Sequence, residues 1–300
     1  MIQSNNPLAQ FSEHAAKIVE GTAGSVVAVH GGRWSSSGVH WRSGIIVTAE
    51  EVLERDDEIA LTLPGGRRAA ATLVGRDPTT DVAALRFQPD GMAVAQTADL
   101  GSLRTGHIVL SVGSHDGAPS ASLGLVAVAG GAWQSRRGGT IDNLVHLDIA
   151  LPTRAEGGAL VDAHGRVLGM MVSGPRRRVL AIPAATIDRA LDQLLAKGYV
   201  GRGYLGAGLQ HIRGRHGNGA TSSDPRGVLV VSVDPDGPAA RAGLLVGDIV
   251  TAWDAQPLAR VREVMKLLGP ESVGRTVDLA LLRGGAPATL KLVIGERPVR

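Results

Sequence analysis

The segment Arg154–Met171, RAEGGALVDAHGRVLGMM, places a carboxylate, Glu156, directly before two adjacent glycines and the first of two short strand patterns. Adjacent glycines let the backbone approach another group closely. A charged side chain at the entrance of such a turn usually acts on a ligand or is paired with another charge. Glu156 is therefore the first candidate for chemistry in this chain.

The other residue types exclude several kinds of site. The chain has no cysteine, which excludes disulfides and thiolate metal ligands, and its nine histidines are scattered without a chelating pair. Aromatic residues make up only 3% of the chain, too few for a surface on which nucleic-acid bases stack. We therefore expect no cofactor and no nucleic-acid partner.

The chain is predicted to consist mainly of short strands, because 41 glycines and 15 prolines separate many short runs of Val, Ala and Leu. Such strands must therefore position Glu156. Two runs of about six strands precede residue 183, which predicts two small antiparallel barrels or a sandwich. Helical spacing predicts one helix over Pro7–Glu20 that ends at Gly21, and another from Pro183 to Lys197. The polar stretch at residues 211–227 is typical of a mobile loop.

Charge is unevenly distributed along the chain. The formal net charge is +3, and residues 201–300 hold 13 Lys and Arg against 9 Asp and Glu. This basic balance suits an acidic partner or a peptide carboxylate, and it equally suits a solvated basic surface.

The segment GPAARAGLLVGDIVTAWDAQPL, residues 237–258, resembles a PDZ domain of the bacterial protease-associated type. In that family, a loop like Tyr204-Leu205-Gly206-Ala207 presents backbone N–H groups to the terminal carboxylate of a peptide, which adds as a strand to the sheet edge. The resemblance further implies that Leu205, Ala207, Met265 and Leu268 line the pocket for the last side chain of the peptide.

The segments before the PDZ domain resemble the HtrA (Deg) family of trypsin-like serine proteases, whose members carry a C-terminal PDZ domain. SSSGVHWRSGIIVTAEEVL resembles the segment of the catalytic His, RDPTTDVAALRF that of the Asp, and LDIALPTRAEGGALVDAHGRVLGMMV that of the Ser. The expected fold is mainly β, with a chymotrypsin-like double β-barrel followed by a PDZ domain. The expected domains are an N-terminal helical segment (1–22), the double barrel (23–182), a linker helix (183–200) and the PDZ domain (201–297).

The catalytic positions depart from the family pattern. Counting from Thr48, the position of the His holds Glu51; counting back from the two glycines, the position of the Ser holds Glu156, and only Asp81 remains. Arg154 and Ala155 occupy the oxyanion loop, and the Glu156 carboxylate could fold back onto the N–H groups of this loop. Because two of the three triad positions hold other residues, we expect no proteolysis by the standard serine-protease mechanism.

Three alternatives address the same positions. Ser111, Ser114, Ser173 or His40 could form a relocated dyad, giving an active endopeptidase of non-standard arrangement. The carboxylates Glu51, Asp81 and Glu156 could together bind a hard divalent cation. The third alternative is a cleft that is neutralised by Arg154 or opened to water.

The leading hypothesis is a pseudoprotease that binds peptides or protein C-termini as an adaptor, chaperone-like or regulatory protein. The resemblance implies a homo-trimer, or a mixed oligomer with an active relative, in which the N-terminal helix with Phe11 takes part. The N-terminus shows no secretory signal and no run of about 20 apolar residues, so we expect no membrane association. The expected location is cytoplasmic as written, or periplasmic if the recorded start is incomplete.

Overall fold

A computed structural model describes residues 6–101, 103–212 and 227–298. The chain divides into two compact units, Met1–Val200 and Gly201–Arg300. Most of the predicted mobile loop, residues 213–226, lies outside the described residues. No helix among the described residues is long and apolar enough to cross a membrane.

The first unit begins with helix α1, Pro7–Ala23, which starts where Asn6 accepts hydrogen bonds from the N–H groups of Leu8 and Ala9. The predicted end at Gly21 is wrong, because the helix continues through this glycine to Ala23. Thr22 is buried, and its hydroxyl donates to the Ile18 carbonyl, so packing of the last turn outweighs the helix-breaking tendency of one glycine.

A six-stranded closed barrel follows α1, with strand order β1-β2-β3-β6-β5-β4. Its interior consists of aliphatic side chains, among them Val27, Val29, Ile46 and Leu61. Its strands are β1 (Val26–His30), β2 (Ser36–Arg42), β3 (Ile45–Thr48), β4 (Ile59–Thr62), β5 (Arg68–Asp77) and β6 (Val82–Phe87).

A second six-stranded closed barrel has the strand order β11-β14-β13-β12-β7-β8. The two barrels confirm the prediction of a double β-barrel and exclude the sandwich. The strands of this part are β7 (Ile108–His115), β8 (Ala118–Gly130), the hairpin β9 (Trp133–Gln134) and β10 (Thr140–Ile141), β11 (Leu144–Asp148), β12 (Ala159–Val161), β13 (Val167–Ser173) and β14 (Val179–Pro183).

Helix α2, Ala184–Lys197, closes the first unit. Its apolar face, including Ile187, Leu191 and Leu194, is buried in the core that it shares with both barrels. The helix ends at Gly198, which has a left-handed backbone and donates its N–H to the Leu194 carbonyl. The helix starts one residue later than predicted, because Pro183 still belongs to β14.

The second unit is a sheet of strand order β16-β17-β18-β20-β21, in which β19 also pairs with β18 and β15 pairs with β22. Strand β16 therefore lies at an edge of this sheet. The elements are β15 (Gly203–Tyr204), β16 (Ala207–His211), β17 (Val228–Val233), α3 (Pro238–Arg241), β18 (Ile249–Trp253), β19 (Gln256–Pro257), α4 (Val261–Leu267), β20 (Thr276–Arg283), β21 (Ala286–Val293) and β22 (Gly295–Glu296).

Candidate functional site

Glu156 lies in a tight turn between a short 3₁₀ helix, Thr153–Ala155, and strand β12. The N–H of Ala155 donates to the Pro152 carbonyl at 2.8 Å, and the N–H of Gly158 donates to the Ala155 carbonyl at 3.0 Å. Gly157 has φ +82°, and a Cβ atom there would overlap the Ser37 carbonyl oxygen. Only glycine therefore fits after Glu156 without moving the first barrel.

The half-buried Glu156 is held through both its backbone and its side chain. Its carbonyl oxygen accepts the N–H of Ser37 at 2.8 Å, and its Oε1 accepts the N–H of Ser173 at 2.7 Å. Ser173 ends β13, so the carboxylate satisfies a donor of a strand. The expectation that this carboxylate folds back onto the oxyanion-loop N–H groups is wrong, because the backbone of β13 offers it a donor instead.

The oxyanion-loop positions are also engaged within the unit. The Arg154 guanidinium contacts the Asp116 carboxylate, with 3.3 Å between Nη1 and Oδ2. The Ser37 hydroxyl donates to the Arg154 carbonyl at 2.6 Å and accepts the Ser114 N–H at 2.9 Å, and the Ala155 side chain is buried. Arg154 therefore pairs with Asp116, and among the described residues no ion pair joins it to Glu51, Asp81 or Glu156.

Asp81 precedes β6 in a left-handed conformation, with φ +59°. Its Oδ1 accepts the backbone N–H of Glu51 at 2.9 Å, and the Glu51 side chain is exposed. Burial raises the pKa of Asp81 to about 7; the Glu51 N–H opposes this, whereas the nearby carboxylates of Glu51, Glu156 and Glu50 raise the pKa further. The three triad positions therefore interact electrostatically within one region.

Arg137 supplies the cation that sequence reasoning assigned to Arg154. Its guanidinium lies 3.1 Å from Glu50 and 3.6 Å from Glu51, measured between nitrogen and carboxylate oxygen. Arg76 lies 3.5 Å from the other oxygen of Glu50. No sequence signal marks these pairs, because the partners belong to separate loops and strands.

The metal alternative has no support in the structure. Among residues 6–101, 103–212 and 227–298, no group of three or more His, Cys, Asp or Glu side chains is arranged to hold a metal ion. Glu51, Asp81 and Glu156 are all within these ranges. Asp81 and Glu156 instead direct their carboxylates to separate backbone N–H groups, those of Glu51 and Ser173.

His40, the candidate for a relocated dyad, is a structural residue. It is fully buried, its Nε2 accepts the Gly44 N–H at 3.1 Å, and its Nδ1 donates to the Ala93 carbonyl at 2.8 Å. Burial lowers the pKa of His40 below its usual value, which favours the neutral ring, and the Gly44 N–H on Nε2 leaves the proton on Nδ1. Both ring nitrogens are occupied, so His40 is not available as a base.

The three candidate serines do not form a dyad with His40 either. Ser111 is buried within β7, and its hydroxyl has no hydrogen-bond partner in the described part of the chain. The Ser114 hydroxyl accepts the Gly117 N–H at 3.3 Å, and Ser173 contributes its backbone N–H to Glu156. No interaction with an imidazole activates any of these hydroxyls among the described residues.

A second site lies in the Gly201–Arg300 unit, where a cavity of about 260 Å³ runs between the edge strand β16 and helix α4. All six residues named from the sequence line this cavity: Tyr204, Leu205, Gly206, Ala207, Met265 and Leu268. Leu205 and Leu268 are buried, whereas Met265 is 39% exposed at the rim. The cavity is therefore a largely apolar groove next to a strand edge that has no pairing partner among the described residues.

The loop before β16 turns its carbonyl groups into the unit. The Leu205 carbonyl accepts the Ala239 N–H and the Gly206 carbonyl accepts the Asp234 N–H, both at 2.7 Å. Within the described ranges, the N–H groups of Leu205 and Gly206 have no acceptor. Gly206 has φ +71°, and a Cβ there would lie 2.8 Å from the Gly237 Cα, so this loop shape requires glycine.

Sequence reasoning missed several residues of the groove. Leu209, Val261, Arg202 and Arg297 also line the cavity. The spacing of Val261 and Met265, four residues apart on α4, was an available signal, because such residues share one helix face. Arg297 follows the last strand, where no motif marks it.

The comparisons with known proteins follow the two units. The trypsin-like peptidase domain family matches residues 36–170, and the PDZ domain family matches residues 203–294. A probable periplasmic serine endoprotease, DegP-like, of Halomonas elongata is 31% identical over 262 residues, which cover 85% of this chain and 55% of that protein. The chain thus spans about half the length of the DegP-like relatives that it matches.

A shorter relative and the solved structures extend the match. The serine endoprotease DegS of Escherichia coli K12 is 29% identical over 85% of this chain and 74% of its own length. The HtrA-type protease AlgW, solved with a decapeptide, is 25% identical with a TM-score of 0.77 and covers 95% of this chain and 99% of its own. The serine endoprotease of Yersinia pestis is 27% identical with a TM-score of 0.74, covering 94% and 98%. From both domain matches, the shared order of the domains and these structures, the chain belongs to the HtrA family.

Proposed function

We propose that this chain is a catalytically inactive HtrA-family protein, which binds peptides or protein C-termini through its PDZ domain and acts as an adaptor, chaperone-like or regulatory protein. One observation carries the loss of activity: the carboxylate of Glu156 stands at the nucleophile position and accepts the Ser173 N–H at 2.7 Å. The side chain at the nucleophile position, Glu156, thus has a structural hydrogen-bond partner.

The chemistry of acyl transfer supports the same conclusion. The reaction needs a nucleophile whose proton is taken by an imidazole, which a carboxylate orients. Glu156 is acceptor-only when ionised, and Glu51 cannot be oriented by Asp81 because two carboxylates repel each other. In this chain, Asp81 accepts the backbone N–H of Glu51, where an active triad has a ring N–H.

The groove beside β16 supports the binding function. A peptide that pairs with this edge gains main-chain hydrogen bonds, and the N–H groups of Leu205 and Gly206 can receive its terminal carboxylate. AlgW, the similar HtrA-type protease, has been solved with a decapeptide and with a tripeptide. We extend peptide binding from that protein to this chain.

A casein-cleavage assay tests the inactivity. Purified chain and the variant Glu156→Ala should release no fluorescent fragments from labelled casein above the buffer background, with trypsin as a positive control for the assay. Cleavage by the wild-type chain that the Glu156→Ala substitution abolishes would overturn the proposal. It would instead establish the alternative of an active endopeptidase with a non-standard arrangement, which the names of the relatives favour.

The assembly and the compartment are further parts of the proposal. We propose a homo-trimer or a mixed oligomer with an active relative. Helix α1 exposes the apolar side chains of Leu8 and Phe11, and a contact with another subunit would bury them. Sedimentation equilibrium of the wild type and of Phe11→Ser tests the homo-trimer, and a monomer for both proteins overturns that part of the proposal. We propose a periplasmic location from the names of the DegP-like relatives, and fractionation of cells that express the gene natively tests it.

A further inference from the structure

Arg297 extends from the segment after the last strand towards the peptide groove. Its N–H donates to the Arg202 carbonyl at 2.8 Å, directly beyond the register in which Gly203 pairs with Glu296. The segment is thus fixed beside the strand that leads into the Leu205–Gly206 loop. Arg297 lines the same cavity as Leu205 and Gly206.

The guanidinium of Arg297 is exposed and has no ion-pair or hydrogen-bond partner among the described residues. Two other arginines of the unit are engaged: Arg283 pairs with Asp248 at 2.7 Å, and Arg241 donates to the Asp236 carbonyl. The carboxylate of the preceding residue, Glu296, lies against Gly201. The groove is therefore bordered by a cation that the described part of the unit does not neutralise.

We propose that Arg297 is a binding residue of the groove, which holds the terminal carboxylate of the peptide together with the N–H groups of Leu205 and Gly206. This inference rests on the proposed function and adds to it one side chain, Arg297, which would increase the preference of the groove for a peptide with a free terminal carboxylate. An internal segment lacks this charge and cannot form the pair.

The two kinds of donor contribute differently to binding. The N–H groups of Leu205 and Gly206 are fixed by the turn and set the position of the carboxylate. The guanidinium adds a full positive charge and can donate two parallel hydrogen bonds to a carboxylate, which a single N–H cannot do. An ion pair at an exposed site contributes little free energy, so Arg297 should add only modestly to the affinity for the free acid. Because the amide carries no charge, this modest contribution distinguishes the acid from the amide.

The experiment uses the full chain and a fluorescein-labelled decapeptide selected on the wild type from a library in which the last three residues are random. The selected decapeptide is made with a free carboxylate and as a C-terminal amide, and both are titrated by fluorescence polarisation. Arg297→Ala should weaken binding of the free acid about fivefold and leave the affinity for the amide within about twofold of wild type. Arg297→Lys should recover part of the loss, because it keeps the charge without the two-pronged geometry.

Arg275→Ala is the matched control, since Arg275 is an exposed arginine of the same unit that does not line the cavity. Its affinities should equal those of the wild type. Two results overturn the role of Arg297: an unchanged preference for the acid in Arg297→Ala, or an equal loss for acid and amide. A library from which the wild type selects no decapeptide would overturn the proposed function itself and is therefore distinguishable from both.

Discussion

The cleft around Glu156 and the groove beside β16 differ in how their hydrogen-bonding groups are satisfied. In the cleft, Glu156 accepts the Ser173 N–H, and the Ser37 hydroxyl bridges Arg154 and Ser114. In the groove, the N–H groups of Leu205 and Gly206 have no acceptor within the described ranges. Polar groups that are already hydrogen-bonded within the protein stabilise its fold. Groups without an internal partner can instead form hydrogen bonds that stabilise a complex with a ligand.

Under the proposed function, this difference assigns peptide binding to the groove and not to the cleft. The cleft has the backbone shape of a nucleophile turn, and its charged side chains, Glu156 and Arg154, bond to other groups of the same unit. The groove has kept an open strand edge, donors and apolar walls. The following predictions disturb one site at a time and measure whether the two sites keep this contrast.

The largest effect is expected from Met265→Glu at the rim of the groove. A carboxylate there lies against apolar walls and near the carboxylate of the ligand, so affinity for the selected decapeptide should fall about 100-fold. Val246→Glu is the control, because Val246 is an exposed apolar residue of the same unit away from the cavity. Equal affinity of the two variants in fluorescence polarisation would show that ligands bind elsewhere.

Asp81→Asn should stabilise the fold in a pH-dependent manner. Because the pKa of Asp81 is raised to about 7, the folded chain binds a proton that the unfolded chain releases, so stability falls as the pH rises from about 4 to 7. The amide avoids this cost, still accepts the Glu51 N–H and tolerates the left-handed backbone. We expect no gain over wild type at pH 4 and about 2 kcal/mol at pH 8 in urea unfolding.

Asp57→Asn is the matched control for the pH series, since Asp57 is an exposed carboxylate of the same unit. Its stability relative to the wild type should stay constant across this pH range. A difference between Asp81→Asn and wild type that does not grow with pH would mean that Asp81 is ionised at little cost. The cleft would then be open to water rather than internally satisfied.

The smallest effect is expected at a single backbone amide. Glu156→Ala removes the acceptor of the Ser173 N–H, and native-state hydrogen exchange of this amide should accelerate about tenfold. Glu51→Ala removes a carboxylate from the same region without touching Ser173 and should leave its exchange unchanged. Exchange at Ser173 that is equal in wild type and Glu156→Ala would contradict the structural role of Glu156.

Motifs and spacing identified the family and the fold, which the structure and the comparisons confirm. Thr48 and the two glycines fixed the register from which Glu51 and Glu156 were placed, because the barrel requires these short-range spacings. The partners of the charged groups were not predictable. Arg154 meets Asp116 across 38 residues, and Arg137 meets Glu50 across 87, which depends on how separate strands are arranged.

The end of α1 shows a second limit. Glycine ends many helices, yet Gly21 has no heavy atom within 4 Å of the position of a Cβ, and the helix passes through it to bury Thr22. Glycine disfavours a helix interior by only about 1 kcal/mol relative to alanine, and tertiary packing of the last turn outweighs this cost. The missed groove residue Arg297 had no local signal, since its role depends on a segment that returns beside β15.

The glycines at 157 and 158 carry a lesson for recognising such proteins. A Cβ at Gly157 would overlap the Ser37 carbonyl, and one at Gly158 would lie 2.6 Å from the Val112 carbonyl oxygen, whatever residue occupies position 156. Both glycines are thus required by the packing of the barrels, independently of any hydrolytic activity. The glycine pair of this motif is consequently evidence for the architecture, whereas evidence for hydrolysis has to come from the residues at positions 51, 81 and 156.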